Sequence, residues 1–188
     1  MTEPTLDHPT LALLKRQFPD RTLFAAEFRG QTSVVVSKQD LTEVMSFLRH
    51  DPGCQFDFLS HVTCADYLNY PEADDPGPSG RFGLIYNLVS CPSGLRLLVR
   101  LFLDPSLDTS GTEDDPALHV PTVTDLWPGA EWTEREVYDM FGVAFDGHPD
   151  LRRILLWEDY PAHPLRKDYP VIGRGERVQY QVIERDSA

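Results

Sequence analysis

Apolar residues recur along this chain with two different periods, and the switches between them lay out the elements. Residues 9–18 put Leu11, Leu14 and Phe18 on one face, with Pro9 in the first turn where a missing N–H is tolerated, and predict a short helix. Strands are predicted over 22–29 and 32–36, with Gly30-Gln31 as the turn between them. Leu41, Val44, Met45 and Leu48 form an i, i+3, i+4, i+7 stripe, and Ser37 stands three residues before Asp40 in a capping-box pattern. An amphipathic helix is expected there, ending at Asp51-Pro52-Gly53. From Phe56 the period drops to two, predicting strands over 56–64, 82–90 and 95–103, the last two joined by a hairpin at Pro92-Ser93-Gly94. In the last strand Leu95, Leu97, Val99, Leu101 and Leu103 share a face, with Arg96 and Arg100 on the other. Residues 129–141 return to helical spacing: Trp132, Val137, Met140 and Phe141 fall on one side, and Glu131, Arg135 and Asp139 form an i, i+4 charged ladder expected on an exposed side. Gly142 sits where a left-handed cap belongs. Beyond it the regular patterns stop.

This order predicts an α+β fold, with a mixed or antiparallel sheet of about five strands, helices packed on one face, and an extended C-terminal arm. The core domain is placed at 1–145 and the partner-binding arm at 146–188. Two acidic, Pro/Gly-rich loops, 70–80 and 104–116, have too few apolar residues to fold alone and read as mobile insertions.

Charge narrows the function. Seventeen Lys and Arg against thirty Asp and Glu give a net charge of −13, which repels phosphate backbones and anionic lipid heads and excludes nucleic acid as a main partner. The excess lies in the body, because residues 148–178 carry six basic against five acidic side chains. No secretory signal is evident, and the apolar run near Leu97–Leu103 is broken by Arg100, so a cytosolic chain with no direct membrane insertion is expected. Its three cysteines, Cys54, Cys64 and Cys91, match no zinc or cluster spacing, and an iron–sulfur cluster usually needs four thiolates.

The candidate chemistry is thin. His61 and Cys64 form an H-x-x-C pair, but three apart on a strand they point to opposite faces. Glu134 and Glu136, two apart on a helix, do not face each other as an acid–base pair would. His148 and His163 precede prolines and suit turn caps or partner contacts better than general bases, since no nucleophile accompanies them. There is no phosphate-binding glycine loop and no nucleophile elbow. Catalytic, cofactor-binding and metal-ligating residues are therefore all assigned as none.

The stretch from His148 to Pro170 is different. It runs over about 20 residues without a regular period, yet Leu151, Ile154, Leu155, Leu156, Trp157, Tyr160, Leu165 and Tyr169 are residues that disordered tails lack. A proline-stiffened ribbon with aromatic and arginine anchors suits a permanent protein contact. The rival reading is an arm folded back on its own sheet.

Residues 134–141 read Glu-Arg-Glu-Val-Tyr-Asp-Met-Phe, then His148 follows, then Arg152-Arg153-Ile154. This pattern resembles the signature of the 30 kDa-type (C-type) subunit family of complex I, the proton-pumping NADH:quinone oxidoreductase, and residues 132–170 resemble that family almost continuously. The resemblance implies an unfused, cofactor-free core subunit of the peripheral arm. Such a subunit packs against the D-type subunit, whose cavity receives quinone, and against neighbouring Fe-S subunits, with FMN, iron–sulfur clusters and quinone held by those partners. It implies a peripheral position on the cytoplasmic side of the bacterial inner membrane. Partner-binding roles carry over to Glu134, Arg135, Glu136, Asp139, His148, Arg152, Arg153, Leu155, Trp157, Asp159, Pro164, Arg166, Lys167, Asp168 and Tyr169, with Arg152 expected to pair with a buried carboxylate. Related scaffold subunits occur in membrane-bound hydrogenases and ferredoxin-fed oxidoreductases, so the electron donor stays open. A stand-alone enzyme using His148 or Glu136 as base, and a free-standing binding module, are the readings from other classes.

Overall fold

The computed structural model describes residues 6–70, 80–107 and 114–174. Most of the expected loop 70–80, the middle of loop 104–116 (108–113) and residues 175–188 of the expected arm lie outside these. The elements are α1 (Pro9–Gln17), β1 (Phe24–Phe28), β2 (Gln31–Val35), α2 (Leu41–His50), β3 (Phe58–Asp66), β4 (Phe82–Val89), β5 (Arg96–Leu103), a 3-10 turn (Pro116–Leu118), β6 (His119–Pro121), α3 (Ala130–Phe141) and β7 (Ala144–Asp146).

The first five strands form one sheet in the order β1-β2-β5-β4-β3. Only the β2–β5 pair is parallel; the other ladders are antiparallel. The mixed sheet follows from α2, which carries the chain from β2 to β3 at the far edge and leaves room for the β4–β5 hairpin to fill the gap. The three helices pack on one side of the sheet, as the α+β reading expects.

Alternation decides which strand positions join the core. In β5, Leu97, Val99, Leu101 and Leu103 are buried and the residues between them are not. The α2 stripe Leu41, Val44, Met45 and Leu48 is wholly buried against that face. Each side chain contributes about 1.5–3 kcal/mol relative to exposure, so one charged residue in the stripe would undo the packing. The Ser37–Asp40 pattern forms, with Ser37 Oγ donating to Asp40 Oδ2 at 2.7 Å, but one turn ahead of the helix proper.

Three expectations are corrected. The β1–β2 turn is Arg29-Gly30, both with positive φ (52° and 77°), as a two-residue hairpin of primed type requires; Gln31 already begins β2. Regular structure resumes after Gly142, since β7 pairs in parallel with β6 through Val120 and Phe145, both buried. These three-residue strands are too short for alternation to reveal. Finally, α3 is rotated from its expected orientation. Trp132 points outward at 58 % exposure, while Glu134, Arg135 and Asp139 are buried with Val137, Met140 and Phe141. The charged ladder therefore faces protein, because residues 148–168 lie over it.

Candidate functional site

An α-helix ends with four carbonyls that have no partner inside the helix. In α3 these belong to Tyr138, Asp139, Met140 and Phe141. Gly142, at φ 74°, turns the chain and donates its N–H to Tyr138 O at 2.9 Å. The remaining three are met by the arm. Asp139 O accepts from Arg153 Nη1 (3.1 Å) and from His163 Nδ1 (2.9 Å), Met140 O from Leu165 N (3.2 Å), and Phe141 O from Arg166 Nε (2.6 Å). Two guanidinium groups thus lie at the negative end of the helix dipole, where cations are favoured.

The side chains of α3 bind the arm in turn. Asp139, with no exposed side-chain surface, receives Arg153 on Oδ1 and the consecutive amides of Ile154, Leu155 and Leu156 on Oδ2. Burial pushes its carboxyl up, but the guanidinium and the three amides outweigh burial and hold it below the usual carboxylate range. Arg135 lies against the Trp132 ring, 5.3 Å from its centroid, and donates to the carbonyls of Arg152 and Arg153, each at 3.1 Å. His148 closes the loop, with Nε2 donating to Glu131 O and Nδ1 accepting from Asp150 N, both at 3.0 Å.

Farther along, Arg153 Nη2 donates to Tyr160 O at 2.7 Å, the Tyr160 and Tyr169 hydroxyls meet at 2.5 Å, and Trp157 packs edge-on against Tyr160. Arg166 is buried over the Phe82 ring. The arm reaches the sheet at Asp66, whose Oδ2 accepts from Lys167 N at 2.8 Å, and Arg81 bridges Asp66 and Asp168 at 3.0 and 2.8 Å. Burial pushes the pKa of His163 down to about 4, so it is a neutral donor.

The expected site residues therefore divide. Glu134, Arg135, Asp139, His148, Arg153 and Arg166 are brought together beneath the arm. Glu136, Trp157, Pro164 and Tyr169 are half-buried, and Leu155, Asp159, Lys167 and Asp168 lie on the outside. Within the chain Arg152 is 66 % exposed and bonds Asp150, while the buried carboxylate of Asp139 pairs with Arg153. His61 and Cys64 lie on opposite faces of β3, Cys64 inside the core, where burial raises its thiol pKa.

Asp66 and Tyr86 carry no local signal. Asp66 meets Lys167 across 101 positions of chain, a pairing only the fold can create. Glu134 is wholly buried, accepting from Thr122 Oγ1 and, at 2.9 Å, from Val123 N. Burial pushes it up to about 7, and those two bonds only partly oppose the rise. Tyr86, also fully buried, has a hydroxyl without a hydrogen-bond partner. Among the described residues, no group of three or more His, Cys, Asp or Glu side chains is arranged to hold a metal ion, and no helix is long and apolar enough to cross a membrane. What the arrangement can do is fix a ribbon to a helix end and leave one side of it outward.

Residues 34–175 match the family model described as the 30 kDa subunit of respiratory-chain NADH dehydrogenase. The C-type subunit of NADH-quinone oxidoreductase from Roseiflexus sp. is 42 % identical over 167 residues, covering 88 % of this chain and 86 % of the relative. NADH-quinone oxidoreductase subunit 5 of Thermus thermophilus is 46 % identical over 147 residues, covering 76 % and 63 %. A solved trypsin-resistant fragment (1-134) of Nqo5 superposes with a TM-score of 0.58 at 36 % identity, over 75 % of this chain and 98 % of the fragment. A chain of the archaeal membrane-bound sulfane sulfur reductase shares the fold, with a TM-score of 0.64 at 20 % identity and 96 % coverage of both.

Proposed function

The chain belongs to the family of the 30 kDa subunit of respiratory-chain NADH dehydrogenase, complex I, and from that premise we propose that it is a scaffold subunit, with no electron carrier of its own, that docks its arm on the quinone-site (D-type) subunit. FMN, iron–sulfur clusters and quinone then belong to partner subunits, and this chain contributes geometry to the peripheral arm on the cytoplasmic side of the membrane. The observation that carries the reading is the division of the arm. Its polar groups are largely spent on α3, while Leu155 (64 %), Leu165 (51 %), Val171 (104 %) and Ile172 (96 %) stay exposed along one proline-stiffened ribbon. Scattered apolar residues on a surface mean little, but four on a ribbon tied to the domain supply the apolar contact that a partner interface uses. Because α3 already holds the root of the ribbon, little ordering entropy is lost on docking.

A tagged chain recovered from gently solubilised membranes tests this. The double variant Val171→Asp and Ile172→Asp touches nothing inside the domain, so it is expected to melt like the parent yet lose the quinone-site subunit from the pull-down. Full recovery of that subunit with the variant would overturn docking through this ribbon.

A further inference from the structure

The five-stranded sheet has two faces, and among the described residues the helices cover one and leave most of the other open, with Tyr67 lying over Gly83 at one end. The ladder registers place Val34, Val99, Tyr86 and Val62 in a row on the helix side, at 1 %, 0 %, 0 % and 0 % exposure. On the other side the neighbouring row is Val35, Arg100, Ile85 and Thr63, all partly exposed. Leu98 and Val89 continue this open face, and Phe58 and Phe28 stand at its edges with 52 % and 71 % exposure. With strands about 4.8 Å apart, five of them make a face roughly 24 Å wide and about 20 Å long, an extent comparable with the largest patches on single chains, which are often functional.

Its charge is the second observation. In a chain with thirty Asp and Glu and a net charge of −13, the strand positions that point to this side include no acid at all. They include Arg96 and Arg100. Arg100 is held in place, donating to Tyr67 Oη at 3.2 Å and lying 4.9 Å from the Phe102 ring centroid. Asp57 and Asp104 stand beyond the ends of β3 and β5 and accept from the Cys91 and Arg81 amides.

We propose that this open sheet face is a second docking surface, taking a protein partner whose apolar contact patch carries carboxylates opposite Arg96 and Arg100. The inference rests on the reading of the chain as a subunit but concerns a face other than the arm. A second copy of this chain would set arginine against arginine, and anionic lipid or nucleic acid would meet the strongly negative body, so an acidic protein patch is the complementary occupant.

Thr63→Cys and Asn87→Cys, each in a Cys91→Ser background, place a thiol on the face without adding bulk. Maleimide labelling is compared between the isolated chain and the complex purified through it. At least tenfold slower labelling in the complex is expected, with Arg100→Glu reducing partner recovery and Arg100→Lys restoring it. If redox subunits co-purify but both thiols label as fast as in the free chain, the sheet-face proposal falls and the subunit reading stands. A chain recovered alone and freely labelled overturns both. Protection in the isolated chain together with a dimer's mass gives the face to a second copy and overturns the acidic partner.

Discussion

Asp139 and Arg153 meet under the arm with Asp139 Oδ1 accepting from Arg153 Nη1 at 2.7 Å, and the other oxygen of the same carboxylate gathers the next three backbone amides at 3.0, 2.7 and 2.9 Å. One side chain on a helix therefore dictates the path of the ribbon beside it. Removing it leaves a guanidinium and three amides short of their acceptor. Asp139→Ala is expected to lower unfolding free energy by about 3–5 kcal/mol, read from urea denaturation of the isolated chain. Arg152→Ala, which loses only an exposed pair with Asp150, should change it by less than about 0.5 kcal/mol. Equal costs for the two would refute the assignment of Arg153 as the buried partner.

Gly142 and Gly30 both have positive φ (74° and 77°), yet a side chain added at each meets different surroundings. A Cβ at Gly142 would lie 2.6 Å from Arg166 Nη2 and from His163 Nε2, whereas one at Gly30 would meet nothing within 4 Å. Asn tolerates left-handed backbone, so Gly30→Asn should cost at most about 0.5 kcal/mol. Gly142→Asn must displace the arm and is expected to cost about 2 kcal/mol or more. Thermal unfolding of the two variants compares them directly, and a melt of Gly142→Asn close to the parent's would show that the arm does not rest on this turn.

The α2 stripe and the alternation in β5 were legible because a single element sets each period, and the signature between Glu134 and Ile154 was legible as a family resemblance. The rotation of α3 was not legible. A helix with Glu134, Arg135 and Asp139 on one broad side looks solvent-facing by composition; Arg135 and Asp139 are buried because a later segment brings amides, carbonyls and a guanidinium group to them, and Glu134 because Thr122 and the Val123 amide reach it from an earlier one. Trp132 misleads for the complementary reason, since its ring serves as an outer shelf for Arg135 instead of entering the core. The open sheet face was likewise invisible, because β3 and β5 read as alternating strands whether or not their second face is covered.

Glu134 gives the chain a pH dependence of unusual sign for a carboxylate. Its ordinary value is 4.5 and burial raises it to about 7 in the folded chain. Between those values the native state binds more protons than the unfolded state, so stability from this group is full at low pH and falls as pH rises through about 7. The whole swing is about 3 kcal/mol. His163 acts in the opposite direction, since its value falls from 6.5 to about 4 and its contribution is lost on acidification through that window. The parent's stability curve blends the two. Around the Glu134 carboxyl stand Thr122, Val123 and His148, whose Nε2 lies 4.0 Å from Glu134 Oε2. Glu134→Gln keeps the hydrogen-bonding shape toward Thr122 and Val123 but cannot ionise, and His163 is common to both proteins. Subtracting the two curves from pH 5 to pH 8 thus isolates Glu134, and the variant is expected to gain on the parent by about 3 kcal/mol across that range. A constant difference would show instead that Glu134 is charged in the folded chain throughout that range.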